Sequence, residues 1–166
     1  MKFYSLLLLI FVSSCAQNGE NTITIIPAKY TGPICINFKI KDGTPKEYES
    51  KNRVYRIGKD GVLNTQFEAI FDKYQFNKYY YEDENGKRQE IAFFDLYDKS
   101  KNNSKESVYI FGEEHTGIGG GVDGNGKEFS TAPSILFYVG SYENIEKKAN
   151  EQMQFGFKNQ KIIDPK

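Results

Sequence analysis

The sequence predicts a mainly β domain, an antiparallel sandwich or small open barrel with one C-terminal amphipathic helix. Three observations carry that reading. Runs rich in Ile, Val, Tyr and Phe are separated by turn pairs at Asp42-Gly43, Asp60-Gly61, Asn85-Gly86, Asp123-Gly124 and Asn125-Gly126. Within the clearest run, apolar and polar residues alternate with the period of two that marks a half-buried strand. Near the C-terminus the period lengthens: Tyr142, Ile145, Ala149 and Met153 recur at intervals of three and four, with Ser141 at an N-cap position. That pattern predicts about three turns of amphipathic helix packed on the strands.

The first segment is an address. One charge, Lys2, precedes an uncharged run from Phe3 to Val12, then Ser13, Ser14 and Cys15, which is the layout of a secretory signal. A membrane span needs about 20 apolar residues, and the polar Ser13, Ser14, Gln17 and Asn18 end this run too early. Val12-Ser13-Ser14-Cys15 resembles the lipobox of bacterial lipoproteins, in which a peptidase cuts before a cysteine carrying a diacylglycerol on its sulfur. The resemblance implies that residues 1–14 are removed, that acylated Cys15 becomes the N-terminus, and that the partner of this end is a lipid bilayer. Ala16 stands where an aspartate would hold such a protein at the inner membrane, so the resemblance implies the outer membrane of a cell envelope. An ordinary cleaved leader would instead leave a secreted protein with an incidental cysteine. Residues 15–21 then read as a polar tether and 22–166 as a single β-rich domain, of a size that buries close to 70% of its extended surface without disulfide or metal.

The domain elements follow in order. In "ICINFKIK" Ile34, Ile36, Phe38 and Ile40 share one face, and Cys35, Asn37, Lys39 and Lys41 the other. Cys35 therefore reads as a small residue covered by a neighbouring element, with no basic residue placed to activate its thiol. "KYYYEDENGKRQEIAFFDLY" reads as a hairpin with Asn85-Gly86 in a type I′ turn. Asp98 to Ser107 contains no apolar side chain and reads as an exposed loop before a strand at Val108 to Phe111. "SILFYVGS" suits a central strand.

Charge and motifs exclude several functions. Basic and acidic residues are equal at 22 each, without the basic stripe that nucleic acid demands. Gly121 to Lys127 spells most of a phosphate-binding loop, but Glu128 stands where a magnesium-binding hydroxyl belongs. Gly119, Gly121 and Gly124 match a dinucleotide fingerprint without the helix it must open. No nucleotide and no cofactor is expected, and the segment reads as a flexible glycine-rich loop. Asp123, Asn125, Gly126 and Glu128 offer oxygen ligands and a tight bend for calcium; Gly121 and Ala132 at the first and last ligand positions rule out an EF-hand register, which leaves a solvated turn or an irregular calcium site in the 117–126 loop.

His115 is the single histidine. It lacks a Gly-x-Ser-x-Gly elbow and a zinc-type spacing, and reads as an exposed loop residue. The sequence thus supports a non-enzymatic binding or structural module whose contact surface it does not locate; the hairpin aromatics Tyr79, Tyr80, Tyr81, Phe93, Phe94 and Tyr97 are either covered on both faces of a central hairpin or a contact surface for a protein or glycan. The alternative is an envelope hydrolase acting on glycan through Glu113, Glu114 or Asp123 near His115.

"IIPAKYTGPICINFKI" followed by "VYRIGKDGVLNTQF" resembles a family of bacterial lipoproteins known only as a domain of unknown function. The resemblance rests on Ile26, Pro27, Tyr30, Gly32, Tyr55, Ile57, Gly61, Leu63 and Thr65. It implies a lipoprotein with a β domain and no assigned functional residue.

Overall fold

The computed structural model describes residues 19–95, 104, 106–122 and 124–163. Cys15, Tyr97, Asp123 and most of the 98–107 stretch lie outside the described residues. The described chain is a β-sandwich with a helix on one outer face. Its first sheet has the order β3 (Glu47–Glu49), β4 (Asn52–Arg56), β1 (Thr22–Pro27), β6 (Asn77–Glu82), β7 (Arg88–Ile91). The second runs β5 (Val62–Asn64), β2 (Gly32–Asn37), β11 (Ser134–Gly140), β8 (Tyr109–Thr116). A small third sheet joins β12 (Ile162–Ile163), β10 (Glu128–Thr131) and β9 (Gly119–Val122).

Three pairings are parallel, β1 with β4, β1 with β6 and β2 with β5, and the others are antiparallel. The chain alternates between the two large sheets, so β4 and β6 return to β1 through crossovers and not through tight turns, as parallel neighbours require. The strand β1 lies before the stretch that the sequence marks as the first strand. It is central in its sheet and buried on both faces, with Ile26 facing the sandwich core and Ile23 and Ile25 forming a separate outer cluster with Val54 and Tyr80.

The alternation in "ICINFKIK" places its apolar residues as expected. Ile34, Ile36 and Phe38 enter the core with Tyr55, Leu63, Phe67, Tyr79, Ile110 and Phe137. Burial of each side chain of this size contributes roughly 1.5–3 kcal/mol. Lys39 takes a positive φ of 60° just past β2 and ends the alternation. The opposite face is covered too: Cys35 and Asn37 are both 0% exposed, beneath α1 (Ile145–Asn159). The central strand expected at "SILFYVGS" is β11, buried along its whole length.

The helix is present, but it buries a different stripe from the one its apolar spacing predicts. Gln152 and Gly156 are the buried residues, whereas Met153 is 47% exposed and Phe157 75%. Close approach explains this. A Cβ on Gly156 would lie 2.7 Å from Leu136 Cδ1, so glycine lets the helix axis sit down on β11. Gln152 Nε2 donates to the Gly112 carbonyl at 2.6 Å, at a bulge in β8 where Gly112 has φ +65°. The N-cap is Asn144, not Ser141; Lys148 Nζ donates to the Ser141 carbonyl and hydroxyl.

The hairpin forms as β6 and β7, but its turn differs from the expected one. Among its tip residues only Gly86 has positive φ; Gly86 N–H donates to the Asp83 carbonyl, and Asp83 N–H to the Lys87 carbonyl. That is a three-residue loop with a left-handed glycine, clamped by Asp83 Oδ1 accepting from the Asn85 and Lys87 amides.

Over the outer face of the first sheet an ionic lattice covers the Ile23, Ile25 and Val54 cluster. Arg56 binds Glu47 through Nε and Nη2 and Glu82 through Nη1 at 2.8 Å, and Arg88 binds Glu82 at 2.8 Å and Glu49 at 2.9 Å. Hydrogen bonding from Arg88, followed by the charge of Arg56, holds the Glu82 carboxyl below its ordinary range. A carboxyl whose pKa is lowered on folding adds stability above its unfolded pKa, about 4.3, and loses it as pH falls through the folded value. Glu82→Gln is therefore expected to cost less than about 1 kcal/mol near neutral pH, by urea unfolding, and nothing once the Glu82 carboxyl is protonated in both the folded and the unfolded chain. A cost that persists unchanged in acid would show that shape and not charge is responsible.

Candidate functional site

Of the residues with chemical capacity in the sequence, the structure brings Glu113 and His115 together. His115 is in β8 and not in a loop, because β8 runs on to Thr116 against β11. Strand alternation then puts Glu113 and His115 on one side. Glu113 Oε1 lies 2.9 Å from His115 Nε2, while its Oε2 accepts a short hydrogen bond from the Tyr79 hydroxyl across the sandwich. The His115 ring stacks on Phe71 at 4.8 Å. Tyr79 is 4% exposed; burial first, and the Glu113 carboxylate second, push its pKa well above the ordinary value. It stays protonated and serves as a fixed donor that orients Glu113.

A carboxylate holding an imidazole is half of a nucleophilic triad. The other half is not supplied: among the described residues the hydrogen bond of the His115 ring is to Glu113, and no hydroxyl or thiol joins it. Cys35 is on the opposite side of the second sheet under α1, and burial pushes its thiol pKa up to about 12, against a smaller lowering by the Asn37 hydrogen bond. Nor do the adjacent carboxylates form the pair a glycosidase uses. Glu114 is registered with Leu136, on the helix-covered face, and Glu113 points the other way. Asp123 lies outside the described residues.

The glycine-rich stretch is not the flexible loop its composition predicts. Gly119–Val122 pairs antiparallel with Glu128–Thr131. The missing side chains are replaced from across the strand: a Cβ on Gly119 would meet Thr131 Oγ1 at 2.7 Å, and one on Gly121 the Phe129 ring at 2.9 Å. Among the described residues no three His, Cys, Asp or Glu side chains converge to hold a metal. The hairpin aromatics are mostly covered. Tyr81 donates to the Tyr30 carbonyl and Phe94 stacks on Tyr142 at 3.5 Å, whereas Phe93 is 46% exposed.

A second locus, not marked by the sequence reading, surrounds the start of the described chain. Gly19 N–H donates to the Tyr74 carbonyl at 2.9 Å, Thr22 N–H to the Phe76 carbonyl at 3.0 Å, and Phe76 N–H to Asn21 Oδ1 at 3.0 Å. Glu20 binds Arg53, which also donates to the Glu68 carbonyl and lies over Phe67. Gly19 to Asn21, expected in the tether, are thus bonded into the domain. The signal that could have shown it is Tyr74-Gln75-Phe76, an aromatic alternation that continues into β6.

Residues 18–156 match the sequence model of a family of unknown function, DUF6843. The chain belongs to that family. The match ends inside the last turns of α1. No curated protein matches the chain. Among solved structures it is similar to a protein from Bacillus anthracis provisionally named a lipoprotein, whose crystal structure at 2.75 Å has 17% identity and a TM-score of 0.47, over 84% of this chain and 96% of that one. In this DUF6843 chain the residues behind the sequence resemblance are structural. Ile26, Tyr55, Ile57 and Leu63 fill the core. Tyr30 donates to the Pro33 carbonyl at 2.6 Å and closes over Gly61, and Thr65 Oγ1 accepts from the Phe67 amide at 3.3 Å. The Glu113 and His115 pair is separate from all of them.

Proposed function

We propose that the chain is a lipoprotein of the bacterial cell envelope, acylated at Cys15 and facing its surroundings from the outer membrane, whose β domain is a non-enzymatic binding or structural module. The observation that carries the reading is the order of residues 2–15, one lysine, an uncharged apolar run and Val12-Ser13-Ser14-Cys15, placed ahead of the family match. The family match starts at residue 18, so cleavage before Cys15 leaves every matched residue in the mature chain. Three residues, Ala16 to Asn18, then separate the lipidated cysteine from Gly19, whose amide donates to the Tyr74 carbonyl. Two or three acyl chains, at about 0.8 kcal/mol for each buried methylene, would then hold the domain to a bilayer almost permanently.

The non-enzymatic half of the proposal rests on the chemistry of the Glu113 and His115 pair, which has a fixed orienting donor in Tyr79 but, among the described residues, no nucleophile bonded to it. The experiment is membrane fractionation of the full chain and its Cys15→Ala variant. The wild-type chain is expected in the membrane fraction, extractable by detergent and not by salt, with the variant in the soluble fraction. Retention of the variant in the membrane would overturn the anchor.

A further inference from the structure

We propose that Tyr74 and Phe76 form a membrane-contact patch that lies against the bilayer to which Cys15 is anchored. The inference rests on the acylation proposed above and adds an orientation to it. Tyr74 is 71% exposed and Phe76 62%. Their rings pack edge to face with centroids 5.3 Å apart, so the two side chains present one joint surface to solvent.

The position of this pair identifies its occupant. The Tyr74 carbonyl accepts directly from the Gly19 amide, and the Phe76 carbonyl from the Thr22 amide. Four residue steps separate Cys15 from Gly19, so even a fully extended tether holds Gly19 within about 14 Å of the acylated cysteine. The acyl chains place that cysteine at the headgroup level. A tether this short keeps the neighbouring strand ends at the bilayer surface, and the aromatic pair is on the chain that bonds to Gly19. Tyrosine and other aromatics with one apolar and one wet edge are the residues that settle at the boundary between headgroups and acyl chains. Phe157 on α1 and Val122 in β9 are exposed too, but among the described residues no hydrogen bond joins those elements to Gly19, Glu20 or Asn21.

The chain contains no tryptophan, so a single indole reports on its own position. Phe76→Trp and, separately, Tyr74→Trp are made in the full chain, isolated in acylated form from cells that process it, and reconstituted into phosphatidylethanolamine and phosphatidylglycerol vesicles. The comparison variant is Asn85→Trp at the exposed hairpin tip, which β6 carries about 20 Å from Phe76. Vesicle flotation is measured on each sample together with quenching by lipids brominated on their acyl chains. The proposal expects flotation of all three variants, with blue-shifted emission and loss of most of it for the indoles at 74 and 76, and unquenched emission at 85. Flotation with all three indoles equally unquenched would overturn the patch while leaving the anchor standing. Failure of the acylated chain to float would overturn the anchor and the patch with it.

Discussion

Gly61→Ala is expected to lose about 3 kcal/mol or more of stability, enough to leave little folded domain under conditions where the wild type is fully folded. Gly61 has φ +79°, and a side chain in this left-handed conformation costs about 1–2 kcal/mol. The added Cβ would also fall 2.0 Å from Tyr30 Oη and 2.7 Å from the Pro33 carbonyl oxygen. The second contact is backbone and cannot rotate away. Displacing Tyr30 breaks its hydrogen bond to Pro33, and the Gly61 carbonyl that receives the Cys35 amide shifts with it. Equilibrium unfolding in urea of Gly61→Ala, Tyr30→Phe and the double variant checks this. Because the closest contact is to Oη, the alanine should cost less in the Tyr30→Phe background. An alanine variant within about 1 kcal/mol of wild type would refute the packing described.

Asn37→Ala is expected to cost a similar amount for a different reason. Asn37 is fully buried between the second sheet and the end of α1. Its Nδ2 donates to Asn64 Oδ1 and to the Asn159 carbonyl, both at 3.0 Å, and its Oδ1 accepts from the Lys161 amide at 3.0 Å. One side chain thus ties β2 to β5, to the helix C-terminus and to the strand that follows it. Alanine strands the Asn159 carbonyl and the Lys161 amide, and a buried polar group left without its partner costs about 1–3 kcal/mol. Asn37→Asp should do no better, since it keeps the acceptor but offers no donor to two facing oxygens. Urea unfolding gives the total, and hydrogen exchange at Lys161 should rise well above that of the central strands. Unchanged exchange there would show that the C-terminal segment is held by something else.

What the sequence made legible follows from which forces are local. Alternation in 34–41 placed the inner apolar face, because a pleat sends successive side chains to opposite sides whatever lies around them. It could not show that Asn37 is buried on the other face, since that depends on a helix more than a hundred residues away. The helix itself was legible and its packing face was not. Hydrophobic periodicity counts side chains, and α1 packs through Gly156, which has none, and through a glutamine bonded to a backbone carbonyl. The same blindness turned Gly119–Val122 into an expected loop, although Phe129 and Thr131 fill the spaces its glycines leave.

The candidate site divides in the same way. Once β8 is a strand, Glu113 and His115 are two apart and meet by geometry alone. Tyr79, 34 residues away in sequence, reaches Glu113 only because the chain crosses between sheets. The aromatic pair beside the tether needed two facts together, a polar segment after Cys15 and its hydrogen bonding to residues 74–76, and only the first is written in the sequence.

Mass spectrometry of the N-terminal peptide of the protein extracted from membranes decides whether Cys15 is the anchor. An anchored chain begins at Cys15, with residues 1–14 absent and the mass of a diacylglyceryl group on the cysteine sulfur. A chain beginning elsewhere, or beginning at Cys15 with an unmodified thiol, would contradict the anchor.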